Sequence, residues 1–180
     1  MAPIIRFAIL LSLLALATAN NDNAGYSNPQ PQTPNNNKLF LRIEGLILCQ
    51  PCAHRNSQCL DAATPIPNAQ VTVTCRDPKN RVKTSRVAKA DAQGYFLAEI
   101  GVADGKQEFY EGDPSKACFV RLLSSPDKGC NDLTNVRYGI EGAELRDEGK
   151  RWVADGVENV VYAAGPLAFR PRSCAPTKQY

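Results

Sequence analysis

The chain has 180 residues, with 21 Lys and Arg against 18 Asp and Glu and a formal charge of +3. That balance is too mild for a nucleic-acid-binding surface read from charge alone. Its single histidine, His54, means that any Ser-His-Asp or Cys-His mechanism has to run through that residue.

Met1 to Ala19 has the pattern of a secretory signal peptide: Arg6, an apolar run from Phe7 to Ala17, and the small-residue ending Ala17-Thr18-Ala19. Cleavage is expected after Ala19, leaving 161 residues with a formal charge of +2, a size that suits one domain. The apolar run is short of the roughly 20 residues that span a bilayer, and no later stretch approaches that length. The expected product is soluble and secreted. Residues 20–38 are rich in Asn, Gln and Pro, with Tyr26 the only large apolar group before Leu39. They read as a disordered arm, in which Pro29, Pro31 and Pro34 favour extended conformations and are candidates for hydroxylation and O-glycosylation. The folded domain is expected over 39–176, with a tail at 177–180.

Order begins at Leu39, where Leu39, Leu41 and Ile43 alternate with Phe40, Arg42 and Glu44 at the period of a strand. Gly45 interrupts the pattern before Leu46, Ile47 and Leu48, as a bulge or a close backbone approach would. Ala69 to Cys75 is the cleanest alternation in the chain. After the turn Arg76 to Asn80, a strand is expected from Arg81 to Ala90. Asp91-Ala92-Gln93-Gly94 is a turn by composition and predicts a hairpin into Tyr95 to Ile100. Cys118 to Leu123 reads as a buried strand, and Val157 to Ala163 and Leu167 to Phe169 as two last strands split by Gly165-Pro166. With no sustained helical period, the expectation is an all-β, antiparallel sandwich or barrel of about seven strands.

Seven cysteines, Cys49, Cys52, Cys59, Cys75, Cys118, Cys130 and Cys174, behind a secretory leader point to disulfides. Cys49-x2-Cys52 also admits a zinc site with His54 or Cys59, and a redox motif that would need a βαβ context. An oxidising all-β setting favours bridges to distant partners. Which cysteines pair is beyond what spacing can decide.

Several motifs together resemble the pollen Ole e 1 allergen and extensin family. Ile43 to Cys52 resembles its short apolar strand ending in Cys-x-x-Cys, and Ala69 to Cys75 its V-x-V-x-C strand, with Asn68 where the family has Gly. Asp91 to Phe96 is similar to its D-x-x-G-x-F turn, and Cys118 to Cys130 to its paired downstream cysteines. Gly165 to Cys174 resembles the ending of the subgroup with a proline-rich arm and a conserved-cysteine domain, which includes non-classical arabinogalactan proteins. The resemblance covers Leu39 to Cys174. It implies three disulfides, Cys49 with Cys130, Cys52 with Cys174, and Cys75 with Cys118. Cys59 has no counterpart in that six-cysteine pattern and is a candidate free thiol or site of mixed-disulfide or dimer formation.

The resemblance also implies a secreted, non-catalytic plant cell-wall protein that binds wall polysaccharide, pectin or galactan, or O-glycosylated wall proteins. The alternative is a signalling or protein-interaction module in growing tissue such as pollen or root. Neither reading calls for a cofactor or a metal, nucleic acid is not an expected partner, and the oligomeric state stays open. Arg81, Lys83 and Arg86, in a run with one acid, Asp77, are candidate glycan contacts through a basic stripe. The same charges also suit a solvated, protected edge strand. Among the aromatics Tyr95, Phe109, Tyr110, Tyr138 and Trp152, most are expected in the core. Trp152, beside Lys150, Arg151 and turn residues, is the candidate sugar platform. No N-x-[ST] sequon is present. Asp127, Asp132, Glu141 and Glu144 do not by spacing pair an acid with a base.

Overall fold

The computed structural model describes residues 39–101 and 112–174. The expected leader, arm and tail, together with Phe109 and Tyr110, lie outside the described residues. In chain order the strands are β1 (Leu39–Cys49), β2 (Thr64–Pro65), β3 (Gln70–Arg76), β4 (Val82–Lys89) and β5 (Tyr95–Ile100). They continue with β6 (Cys118–Ser124), β7 (Asp132–Leu133), β8 (Ala143–Glu144), β9 (Arg146–Ala154) and β10 (Val157–Arg170). Three of these are two-residue pairings, which leaves seven longer strands among the described residues, as many as expected although β9 is not among those read from the sequence.

The strands form two sheets that pack as a sandwich and do not close into a barrel. The larger sheet is built on β1 and β10, with β5 and β2 along the free side of β1, and β9 and β7 along that of β10. The smaller has the order β4-β3-β6-β8. Alternation drives the facing surfaces together: Leu41, Ile43 and Ile47 of β1 and Phe96 of β5 meet Val71 and Val73 of β3, all fully buried.

Three expectations need correction. The sheets are not wholly antiparallel, because β1 and β10 pair in parallel from Leu39↔Glu158 to Cys49↔Phe169. β10 is buried over most of its length, as suits a central strand flanked by β1 and β9. It is also one strand rather than two. Gly165 and Pro166, joined by a cis peptide bond, fall where the ladder steps from Gly45↔Ala164 to Ile47↔Leu167, so two β10 residues oppose Leu46 alone. A bulge at that step absorbs the missing proline N–H without ending the strand.

Nor do β4 and β5 make a hairpin. The Asp91–Gly94 turn is a corner that carries the chain from the smaller sheet to the larger. Asp91 Oδ1 accepts from the N–H groups of Gln93 and Tyr95, both at 2.9 Å, and Gly94 takes a left-handed φ of 76°. Ile47 N then donates to Gly94 O at 2.8 Å, which docks the corner on β1.

Disulfides join Cys49 to Cys130, Cys52 to Cys174 and Cys75 to Cys118, the pairs that the resemblance implies. Cys75 and Cys118 are direct partners across β3 and β6. For their separation of 43 residues, loop entropy corresponds to about 4 kcal/mol of stabilisation. Among the described residues, no helix is long and apolar enough to cross a membrane.

Candidate functional site

The outward face of the larger sheet gathers aromatic and charged side chains in register. β9 reaches it through a two-residue turn, Asp155-Gly156, in which both residues take left-handed φ angles, 52° and 73°. That turn matches the twist of an antiparallel hairpin and sets Val157 opposite Ala154. Two steps along, Trp152 lies opposite Asn159 of β10, which in turn lies opposite Phe40 of β1. In-register neighbours share a face, so Trp152, Asn159 and Phe40 form a row across three strands.

The Arg42 guanidinium lies 5.4 Å from the Trp152 ring centre and 5.2 Å from that of Phe40, within cation–π range of both. Its other side is ion-paired with Glu99 of β5. Two residues further along β1, Glu44 accepts from the Tyr95 hydroxyl at 2.7 Å and from Lys150 Nζ at 3.2 Å. Burial pushes the Tyr95 phenol up to about 12, and its hydrogen bond to the Glu44 carboxylate adds to the shift. Trp152 keeps 43% of its surface exposed, and Leu46 and Leu97 on the same sheet are exposed as well. The face therefore offers a flat aromatic surface bordered by a guanidinium, a carboxylate and a phenol. Such a set can take the C–H face of a sugar ring and hydrogen-bond its hydroxyls.

Trp152 thus sits inside β9, not beside turn residues as the sequence suggests. The basic residues proposed with it are elsewhere. Lys83, Ser85, Val87 and Lys89 alternate along the outward face of β4, the edge strand of the smaller sheet. Arg86 has the opposite parity, level with buried Val73, and is half-buried. Arg81 precedes the strand and is held by Asp77, whose Oδ2 accepts from Arg81 Nε at 2.8 Å. Those bonds from Arg81, backbone first, hold the Asp77 carboxyl below its ordinary range. The three cations therefore do not form one stripe and share no surface with Trp152. Lysines on an edge strand have a sufficient structural reason in blocking strand addition.

With Cys49 and Cys52 in disulfides, neither a zinc site built on those two thiols nor a redox dithiol remains. Cys59 is unbridged and half-buried. Asp127 accepts from Gly129 N at 2.8 Å, and Asp132 pairs with Arg170 at 3.0 Å, so both serve local structure.

Among the described residues, two clefts compete with the sheet face. One of about 250 Å³ lies between Asn56, Gln58, Asn135 and Arg170. Its amides are engaged: Gln58 Oε1 accepts from Arg137 N at 2.9 Å, and Asn135 Oδ1 from Ile140 N and Glu141 N, both at 3.2 Å. The other, of about 540 Å³, lies by Arg76, Asp113 and Phe119 and borders Gly112, where the described residues resume. Among the described residues, the sheet face is set apart by the exposed indole that it presents.

A solved structure similar to this chain is that of the major plantain pollen allergen Pla l 1, with a TM-score of 0.50 over 77% of this chain and 98% of that one. At 20% identity it shows the shared fold. A curated relative, non-classical arabinogalactan protein 30 of Arabidopsis thaliana, is 28% identical over 143 residues. The match to the Arabidopsis relative covers 75% of this chain but 54% of that protein, so this chain spans about half its length. No protein-family model matches the chain. The names of both similar proteins are those of a plant arabinogalactan protein and a pollen allergen, not of enzymes.

Proposed function

We propose that this is a secreted, non-catalytic plant cell-wall protein that binds wall polysaccharide on the outward face of its larger sheet. The carrying observation is the row Trp152, Asn159 and Phe40 with Arg42 across both rings, which leaves a partly exposed indole on a polar-bordered sheet. A sheet face suits an extended glycan better than a deep pocket does, because successive sugars can lie along neighbouring strands. The similarity to an arabinogalactan protein supports the wall setting.

A glycan array with the oxidised protein tests this. Selective retention on galactan or pectin is expected, with loss of about tenfold or more for Trp152→Ala, as removal of a central aromatic anchor entails. Unchanged thermal unfolding of the variant would assign that loss to the contact. Charge reversal at Lys83 should leave retention intact, since that residue lies on the other sheet. No retention on any glycan, with recovery of a single wall protein instead, would replace this reading with the interaction module.

A further inference from the structure

The loop after β1 brings together three donor atoms of different chemistry. His54 closes the helical turn Cys52–His54, and Cys59 and Asp61 follow it. One imidazole nitrogen, the thiol sulfur and one carboxylate oxygen all lie within 4.8 Å of one another. His54 and Cys59 are half-buried, and Asp61 is exposed.

The backbone beneath these side chains is closely pinned. Ser57 donates to His54 O through its N–H at 3.1 Å and its hydroxyl at 2.7 Å, and Cys59 N donates to the Ser57 hydroxyl at 3.1 Å. From below, Gln50 Nε2, on a residue only 1% exposed, donates to Ser57 O at 3.0 Å and to Cys59 O at 2.9 Å. The Cys52–Cys174 bridge fixes the start of the loop. His54 and Cys59 are therefore held relative to each other by a continuous set of bonds, and small side-chain rotations suffice to change the spacing of their donor atoms.

We propose that His54, Cys59 and Asp61 form a binding site for a borderline divalent cation of the zinc(II) type. Sulfur, imidazole nitrogen and carboxylate oxygen are zinc's own donor set, whereas calcium and magnesium take all-oxygen shells. Metal–ligand bonds of about 2.0–2.3 Å in a tetrahedron put donor atoms about 3.5 Å apart, so closure asks for a shift of about 1 Å. Three protein ligands leave the fourth position to water or to a group from a partner. Cys59 stands outside the six-cysteine pattern, and this site gives that extra thiol a chemistry of its own.

Cobalt(II), which has an absorption that reports thiolate ligation, and zinc(II) are the probes, added to the full chain with its three bridges formed. One cobalt per chain is expected, with a sulfur-to-cobalt charge-transfer band that zinc abolishes and that millimolar calcium or magnesium leaves unchanged. Saturating zinc should slow alkylation of Cys59 by about tenfold or more, and His54→Ala and Asp61→Asn should each weaken zinc binding by about tenfold or more. Both variants change groups that are not buried, and an unchanged circular dichroism spectrum checks their fold. Absence of the band, a band that survives Cys59→Ser, or intact-mass recovery of Cys59 in a disulfide with a second copy or a small thiol would overturn the proposal.

Discussion

Gly45 of β1 meets Ala164 of β10 backbone to backbone. A Cβ at position 45 would collide with the Ala164 carbonyl oxygen and sit 2.7 Å from Cε1 of Phe96, a ring that is itself fully buried. Neither the parallel ladder nor the core ring can retreat without disturbing the centre of the larger sheet. Gly45→Ala is expected to cost about 3 kcal/mol, the upper range for overpacking a core. Denaturant unfolding at unchanged m-value would read this as a lower midpoint; a midpoint equal to that of the parent chain would show that the sheet can spread.

Gln50 is a buried polar residue whose side-chain amide holds two carbonyls of the loop that follows β1. Replacing it by Leu leaves the Ser57 and Cys59 carbonyls without that donor, on a loop where Ser57 is exposed and Cys59 half-buried. The expected loss is about 1–3 kcal/mol, from two hydrogen bonds at their usual net value each. Hydrogen exchange should then quicken in residues 52–63 before it does in β3. Uniform exchange in the variant and the parent would count against a local anchoring role.

Tyr95 sets an alkaline limit. Its ordinary pKa of 10.0 is raised to about 12 in the folded chain, by burial first and then by the bond to Glu44. Below pH 10 the neutral phenol contributes its full stabilisation. Between about 10 and 12 the unfolded chain releases a proton that the folded chain keeps, so stability falls as pH rises. Absorbance of tyrosinate should show a component near pH 12 that Tyr95→Phe removes and Glu44→Gln shifts downward. Tyr162 is raised as well, again by burial first, so the two variants are needed to assign the component.

Much of this fold is legible in the chain because its inward residues alternate. Val71, Val73 and Cys75 are buried while Thr72 and Thr74 are not, and the strand follows from that pattern. β9 escaped the same reading for a physical reason. All nine of its residues are exposed, so it carries no inward stripe, and it is held by its ladder to β10 and by the turn. The Asp155-Gly156 dipeptide is the signal that could have revealed it. The parallel register of β1 and β10 is not local information, since two apolar strands far apart in sequence can pair in either sense. Trp152 was visible as a surface aromatic. Its neighbours Phe40 and Arg42 were not, because only the ladder through Asn159 brings them beside it.

The bridge from Cys52 to Cys174 changes how this domain carries tension. Followed along covalent bonds, the shortest path from Leu39 to Cys174 runs down β1 to Cys52 and crosses one sulfur–sulfur bond. A pull between those two points is carried by the stretch 39–52, whose reach is about 50 Å, and most of that stretch is already an extended strand. With every bridge reduced, the same two points could separate by about 450 Å. Single-molecule stretching with and without reductant should show that difference, and a long extension under oxidising conditions would refute the covalent path. While the bridge stands, β1 lies in the line of force and residues 53–173 hang beside it as a covalently shielded side loop.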